Sequence, residues 1–203
     1  MSEIQAIIFD LGNVLLRVDE AKARARLAAR TGKTEQEIDH YFRSTPHATE
    51  LALGNLTGQQ FYRFVSSDLR FEGTFEEFDL IWSDIFEPIE PMVRLATEFA
   101  ARLPRLILSN TNALHIDYIL AHYPFVEQFD AHVFSHEVGL LKPDVAIYRL
   151  ALERCDTEAG RTIFVDDLSA NVEGARAAGL RAIQYVTAEQ VRRELTKLGV
   201  SPI

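Results

Sequence analysis

Asp10 closes the apolar run Ile7-Ile8-Phe9 and is followed at once by Leu11-Gly12-Asn13-Val14. A buried strand that ends in a carboxylate and a glycine turn delivers that carboxylate to a sheet edge, where a ligand reaches it. There it can attack an electrophile, hold a cation, or do both. Three further apolar runs lead into polar residues. Residues 106–108 precede Ser109-Asn110-Thr111-Asn112. Residues 133–134 lead, a few positions on, to Gly139-Leu140-Leu141-Lys142-Pro143. Residues 163–165 precede Asp166-Asp167.

These parts match what phosphoryl transfer needs: an attacking atom in line with the leaving oxygen, and positive charge around the equatorial oxygens. Asp10 can be the nucleophile and form an aspartyl-phosphate. A divalent cation removes the repulsion between carboxylate and phosphate. Mg²⁺ takes hard oxygen ligands and keeps some waters. Asp10 and Asp166 can supply carboxylate oxygens, Gly12 its carbonyl, and Asp167 can orient a ligating water. Lys142 adds a point charge on the phosphate, while Ser109, Asn110 and nearby N–H groups can donate to it. Each residue alone has a plainer reading: Asp10 as a turn residue, Asp166-Asp167 as helix caps, Lys142 as a solvated lysine. Their order, each behind a strand, carries the chemical reading.

Competing motifs are absent. The sequence has no G-x-G-x-x-G, no G-x-x-x-x-G-K-[ST], no G-x-S-x-G and no H-E-x-x-H. His115 follows the Ser109–Asn112 loop and reads as a surface helix histidine rather than a residue of the mouth, and His136 with Glu137 reads the same way. Cys155, the only cysteine, reads as packing.

The elements that must position these residues are strands alternating with helices beyond position 90. That pattern predicts an α/β fold: a Rossmann-like, three-layer core whose parallel sheet carries helices on both faces. A fourth apolar run covers 182–186. Pro91 is expected to open one helix, with Met92, Leu95, Ala96 and Phe99 facing inward. Pro143 is expected to open a second, followed by Ile147, Leu150 and Ala151. A third is expected over 169–178, stopped by Gly179 in a left-handed conformation. Residues 17–87 read instead as all-helical. Capping boxes recur there at Thr34/Glu37, Thr57/Gln60 and Thr74/Glu77. Two amphipathic stripes follow, Phe61-Phe64-Val65 and Phe78-Ile81-Trp82-Ile85, expected to pack as core. The expected organisation is a core of residues 1–16 and 88–203 with a helical cap, 17–87, inserted over the mouth as a lid. Arg17, Arg43, His47 and Asn55 are its candidate substrate contacts.

The balance of 21 Lys and Arg against 30 Asp and Glu gives a net charge of −9, with no basic run to hold nucleic acid. No apolar stretch approaches the ~20 residues of a membrane helix, and the N-terminus lacks the pattern of a signal peptide. One cysteine permits no disulfide within the chain, which fits a reducing cytoplasm.

On these residues the chain resembles the haloacid dehalogenase superfamily. The family opens with D-x-D-x-[T/V], here Asp10 to Val14, then carries a Ser/Thr (Ser109), a Lys before a helix (Lys142) and an acidic pair (Asp166-Asp167). The closing segment with Asn171, Gly174, Ala175 and Gly179 is also similar, and the insertion looks like the family's C1-type cap. The Asp-Leu-Gly-Asn-Val opening and the Leu-Ser-Asn-Thr-Asn loop resemble those of bacterial sugar-phosphate phosphatases that act on α-glucose 1-phosphate. The resemblance implies a Mg²⁺-dependent phosphatase of small phosphorylated metabolites. One position departs: Gly12 stands where the family's phosphatases carry a second Asp as general acid and base. Such help is worth ~10²–10⁴ in rate. A leaving group that needs little protonation, such as an anomeric oxygen, or a substitute group from the cap or His115, would account for it. The alternatives are a metal-independent 2-haloacid dehalogenase, in which the Asp166-Asp167 pair would be idle, and a catalytically weak phosphate-binding regulatory module.

Overall fold

The continuous apolar runs become strands of one parallel sheet, because a strand covered on both faces can be apolar at every position. The computed structural model describes residues 3–99 and 102–200. Strand β1 (Ala6–Phe9) turns into β2 (Leu16–Val18) and then into helices α1 (Glu20–Thr31), α2 (Glu35–Ser44), α3 (His47–Ala52), α4 (Gly58–Leu69) and α5 (Phe75–Ser83). Strand β3 (Phe86–Pro88) returns the chain to α6 (Glu90–Glu98), β4 (Arg105–Ser109), α7 (Ala113–His122), β5 (Ala131–Phe134) and the short α8 (Ser135–Val138). The chain continues through α9 (Val145–Cys155), β6 (Thr162–Asp166), α10 (Ser169–Ala177), β7 (Arg181–Gln184) and α11 (Ala188–Lys197). The sheet order is β5-β4-β1-β6-β7, and every pairing is parallel.

Strand alternation divides the core. Ile7 and Phe9 of β1 join Ile107, Ile163 and Val165 against Met92 and Leu95 of α6, Ile116 and Ile119 of α7, and Val191 and Leu195 of α11. Ile8 points the other way, with Leu106, Leu108 and Phe164, onto Ile147, Tyr148 and Ala151 of α9 and Ala175 of α10. Both clusters end at the strands' carboxyl edge, which leaves polar residues there facing a cleft.

All three expected capping boxes form in the insertion, at Thr34/Glu37, Thr57/Gln60 and Thr74/Glu77. Its core joins Leu27, Ile38, Phe61, Val65 and Phe78, and accepts Leu114 from α7. β2 and β3 pair antiparallel beneath it, with Val18 opposite Phe86. Polar latches reinforce this seam. Asp84 takes Lys22 at 3.0 Å, Arg26 at 2.9 Å and the Tyr118 hydroxyl at 3.0 Å. Ser135 Oγ donates to the Ala52 carbonyl at 2.7 Å.

Several local expectations need correction. Pro143 does not open a helix: Asp144 caps α9 by accepting from the Ala146 N–H, so the helix starts at Val145 and Pro143 stays in the preceding turn. Phe64 is not core; it is 40% exposed and stacks on His47 at 4.3 Å. Ile85 lies past the end of α5 and packs into the α/β core instead. Strand β7 stops at Gln184, and Val186 is exposed. Helix α6 starts one residue ahead of Pro91, while Gly179 has φ +89° as expected of a left-handed stop.

Candidate active site

Asp10, Ser109 and Asp166 reach one place because β1, β4 and β6 are neighbours that end together. Lys142, from the turn before α9, enters between the carboxylates. Its Nζ lies 2.7 Å from Asp10 Oδ1 and 2.7 Å from Asp166 Oδ2. All three side chains are buried. Burial alone would strip the Lys142 proton, but Asp10 and Asp166 outweigh it and hold the ammonium above the ordinary lysine value. Burial pushes the Asp10 carboxyl up to about 7; Lys142 opposes that rise and Asp166 adds to it. Asp167 is raised as well, by burial and by its neighbour Asp166.

Hydrogen bonds fix the pieces. Asn110 grips the backbone of Lys142 at two points: its Oδ1 accepts from Lys142 N at 2.8 Å, and its Nδ2 donates to the Lys142 carbonyl at 3.0 Å. The carboxamide expected to face a phosphate is thus engaged in holding the lysine. Asp166 accepts from Asn171 Nδ2 at 3.0 Å on each oxygen and from Leu168 N at 2.9 Å. Asp10 Oδ1 also accepts from Leu11 N at 2.7 Å. Gly174 admits the Lys142 turn, since a Cβ there would lie 2.6 Å from the Pro143 carbonyl oxygen.

One carboxylate oxygen from each of Asp10, Asp166 and Asp167 falls within 4.8 Å of the other two. These are hard, anionic oxygens, the donors a small divalent cation prefers. Three carboxylates against one ammonium leave a deficit of two positive charges. The residues therefore fit Mg²⁺.

A cavity of about 280 Å³ opens over this cluster, lined by Asp10, Gly12, Ser109, Lys142, Asp167 and Asn171 among others. A second, of about 460 Å³, lies between α1, α2 and α5, walled by Phe42, Trp82 and Ile85 and bordered by Arg24, Asp39 and Arg43. Both are lined by Val18, Glu20 and His115, so the two share a wall. His115 is not the surface residue expected. Its ring stacks on Trp82 at 5.4 Å, its Nε2 lies 3.2 Å from the Trp82 carbonyl, and burial lowers its pKa to about 4. His136 is half-buried and likewise lowered by burial. Of the other cap candidates, Arg43 borders the second cavity; Arg17 is exposed, His47 stacks on Phe64 and Asn55 donates to Glu50. Sequence reasoning gave no site role to Asn171 or Glu20. An Asn on the buried face of α10 was the available signal for the first; nothing local marks the second.

The five-stranded parallel sheet with helices on both faces, and the acidic cluster at its strand ends, make this an α/β protein with its site at the sheet's carboxyl edge. The chain belongs to the haloacid dehalogenase-like hydrolase family, whose pattern matches residues 4–179. It is 26% identical to the D-ribitol-5-phosphate phosphatase of Bacteroides thetaiotaomicron over 95% of this chain and 97% of that one. It is 28% identical to drimenol cyclase drtB of Aspergillus calidoustus over 98% of this chain, but spans only 37% of that protein. The fold superposes, with TM-score 0.83 and 20% identity, on a family enzyme of B. thetaiotaomicron crystallised with magnesium and inorganic phosphate, covering 90% of this chain and 94% of that one. Among the described residues no helix is long and apolar enough to cross a membrane.

Proposed function

We propose that this chain is a Mg²⁺-dependent phosphomonoester hydrolase that acts on a small phosphorylated metabolite through an aspartyl-phosphate on Asp10. The observation that carries the reading is Lys142 bridging Asp10 and Asp166 at 2.7 Å each, with Asp167 beside them. The phosphatase and magnesium named for the relatives support it. Asp10, the Gly12 carbonyl, Asp166 and Asp167 would hold the cation; when bound it neutralises charge on carboxylate and phosphate. Leu11 N–H and Lys142 hold Asp10 Oδ1, so the second carboxylate oxygen is the one to attack phosphorus. The phosphorus–oxygen bond to the leaving group then breaks. Lys142 and the Ser109 hydroxyl hold the transferring group, and water cleaves the aspartyl-phosphate to restore Asp10.

We favour a sugar phosphate. The second cavity offers an aromatic wall, Phe42 and Trp82, and a charged rim, Arg24, Asp39 and Arg43. A sugar presents one apolar face and a ring of hydroxyls to match. α-Glucose 1-phosphate is the first candidate, because its anomeric oxygen leaves readily from a site with glycine at position 12. Residues 17–87 act in this reading as a cap domain over a catalytic domain of 1–16 and 88–203. The compartment is the cytoplasm, where the free Cys155 stays reduced.

A panel of phosphorylated sugars and nucleotides, run with Mg²⁺ and with EDTA, tests the reading. We expect phosphate release from a sugar phosphate with Mg²⁺, none with EDTA, and none from Asp10→Asn. Full activity in Asp10→Asn, or chloride release from 2-chloropropionate in EDTA, overturns it.

A further inference from the structure

Position 12 carries no side chain, and the space beside it is taken. A Cβ there would stand 3.3 Å from Val18 Cγ2. Val18 arrives because Asn13, at φ +56°, reverses the chain: its N–H donates to the Leu16 carbonyl at 2.6 Å and its Oδ1 accepts from Val18 N at 3.1 Å. Asp19 then caps α1, accepting from Lys22 N at 3.1 Å, and this sets Glu20 as the first helical residue.

The ionisable residues lining the cavity over Asp10 are Asp10 itself, Glu20, His115, Lys142 and Asp167. Asp10 is the proposed nucleophile, and Lys142 is bound to two carboxylates. Asp167 belongs to the proposed cation site. His115 has no proton to lend: a carbonyl can only accept, so Nε2 bears the hydrogen and donates to Trp82, while Nδ1 accepts from Asn112 Nδ2 at 3.1 Å. Glu20 remains. Its carboxylate pairs with Arg24 at 3.2 Å, with the Glu20 side chain 75% exposed. Such a pair is weak and leaves the carboxylate free to turn. Glu20 also lines the second cavity, so it stands where the phosphate end of a substrate meets its leaving group.

We propose that Glu20 is the general acid and base of this enzyme, in place of the side chain absent at position 12. The assignment rests on the aspartyl-phosphate reading above. In the first step the bond from phosphorus to the leaving oxygen breaks as Asp10 attacks, and that oxygen takes the Glu20 proton. In the second step water attacks phosphorus, its proton passes to the Glu20 carboxylate, and the bond from phosphorus to Asp10 breaks. The sum is one ester and one water converted to one alcohol and one phosphate.

The test compares wild type with Glu20→Gln and Glu20→Ala as Mg²⁺-loaded enzymes, on the best sugar phosphate and on p-nitrophenyl phosphate, whose leaving group needs no proton. Glu20→Gln should lose about 10²–10⁴-fold in sugar-phosphate turnover. With p-nitrophenyl phosphate it should give a burst of nitrophenol near one equivalent and accumulate acid-trappable phosphoenzyme. Added formate should restore Glu20→Ala by about tenfold or more, since a small carboxylate can enter so open a position. Because Glu20 is exposed in a first helical turn, both variants should keep the wild-type melting temperature. Turnover in Glu20→Gln within about threefold of wild type overturns the assignment. So does a loss with no trapped phosphoenzyme and no formate rescue. A wild type inert toward every phosphate ester overturns the parent reading and this one together, whereas an active wild type indifferent to Glu20 overturns this one alone.

Discussion

Lys142 and its anchors tie the stability of the buried cluster to the chemistry proposed for it. Its ammonium is the group that both buried carboxylates pair with, so removing it leaves Asp10 and Asp166 facing each other without compensation. Lys142→Met should cost about 3–5 kcal/mol of stability in metal-free protein, the usual cost of breaking a buried pair. Magnesium should narrow that deficit, because without the competing ammonium the carboxylates bind the cation more tightly than in wild type, and tighter binding to the folded state stabilises it more. Thermal melts with EDTA and with millimolar Mg²⁺ measure both; a deficit unchanged by Mg²⁺ would remove these carboxylates from the cation site. Asn110 acts at one remove. Losing its two hydrogen bonds to the Lys142 backbone should cost about 1–3 kcal/mol of positioning, read as a fall in kcat/KM of roughly tenfold to a hundredfold in Asn110→Ala. Asp166→Asn keeps the shape of the site and removes one charge, so the Mg²⁺ concentration for half-maximal rate should rise. An unchanged requirement would count against Asp166 as a ligand.

At the scale of elements, Asp84 ties α1 to α7 at the edge of the insertion through Lys22, Arg26 and Tyr118. Burial would raise its pKa, but these three partners outweigh burial and bring it down to about 2. A carboxylate with a depressed folded pKa lends stability above its unfolded pKa of about 4 and loses it as pH falls through the folded value. Acid unfolding between about pH 4 and pH 2 should therefore be shallower in Asp84→Asn, with a loss of about 1 kcal/mol at neutral pH. Gly174 makes a second test, since its missing Cβ admits the Pro143 carbonyl at 2.6 Å. Gly174→Ala should push the Lys142 turn outward, costing about 1–3 kcal/mol as overpacking does, and should lower kcat as well as the melting temperature. The strands, the three capping boxes and the strand-end residues were legible in the sequence because each is a local signal: an apolar run, a Thr with Glu or Gln three residues on, a polar residue behind a strand. Pro143 misled because a helix-opening proline and a proline in the turn before a cap look alike until Asp144 is seen bonding Ala146. The buried setting of His115 and the place of Glu20 in the cavity walls were not legible because both depend on where the insertion sits. One is stacked on Trp82 from α5, and the other is aimed by a turn whose geometry rests on Asn13.

On the scale of the whole molecule, the insertion and the sheet are fastened to each other along one seam. Leu114 enters the insertion's core, Ser135 bonds Ala52, and Asp84 collects groups from both sides. A cleft enclosed this way is approached through the field of the entire chain, which carries a net charge of −9. That field would repel a phosphate ester, while in the proposed function the attraction that retains it comes from Lys142 and from a cation held at the acidic cluster, at short range. The two have different ranges, and salt separates them. The Debye length falls from about 30 Å at 0.01 M to about 8 Å at 0.15 M, so salt screens the long-range repulsion and leaves the buried contacts nearly intact. At saturating Mg²⁺, kcat/KM for a sugar phosphate should therefore rise by about twofold to tenfold as KCl increases from roughly 10 mM to roughly 150 mM, with kcat unchanged. Initial rates over that range decide it. A kcat/KM that falls with salt would mean that a local positive field at the mouth governs capture, and would move the search for substrate contacts to the exposed arginines Arg17 and Arg43.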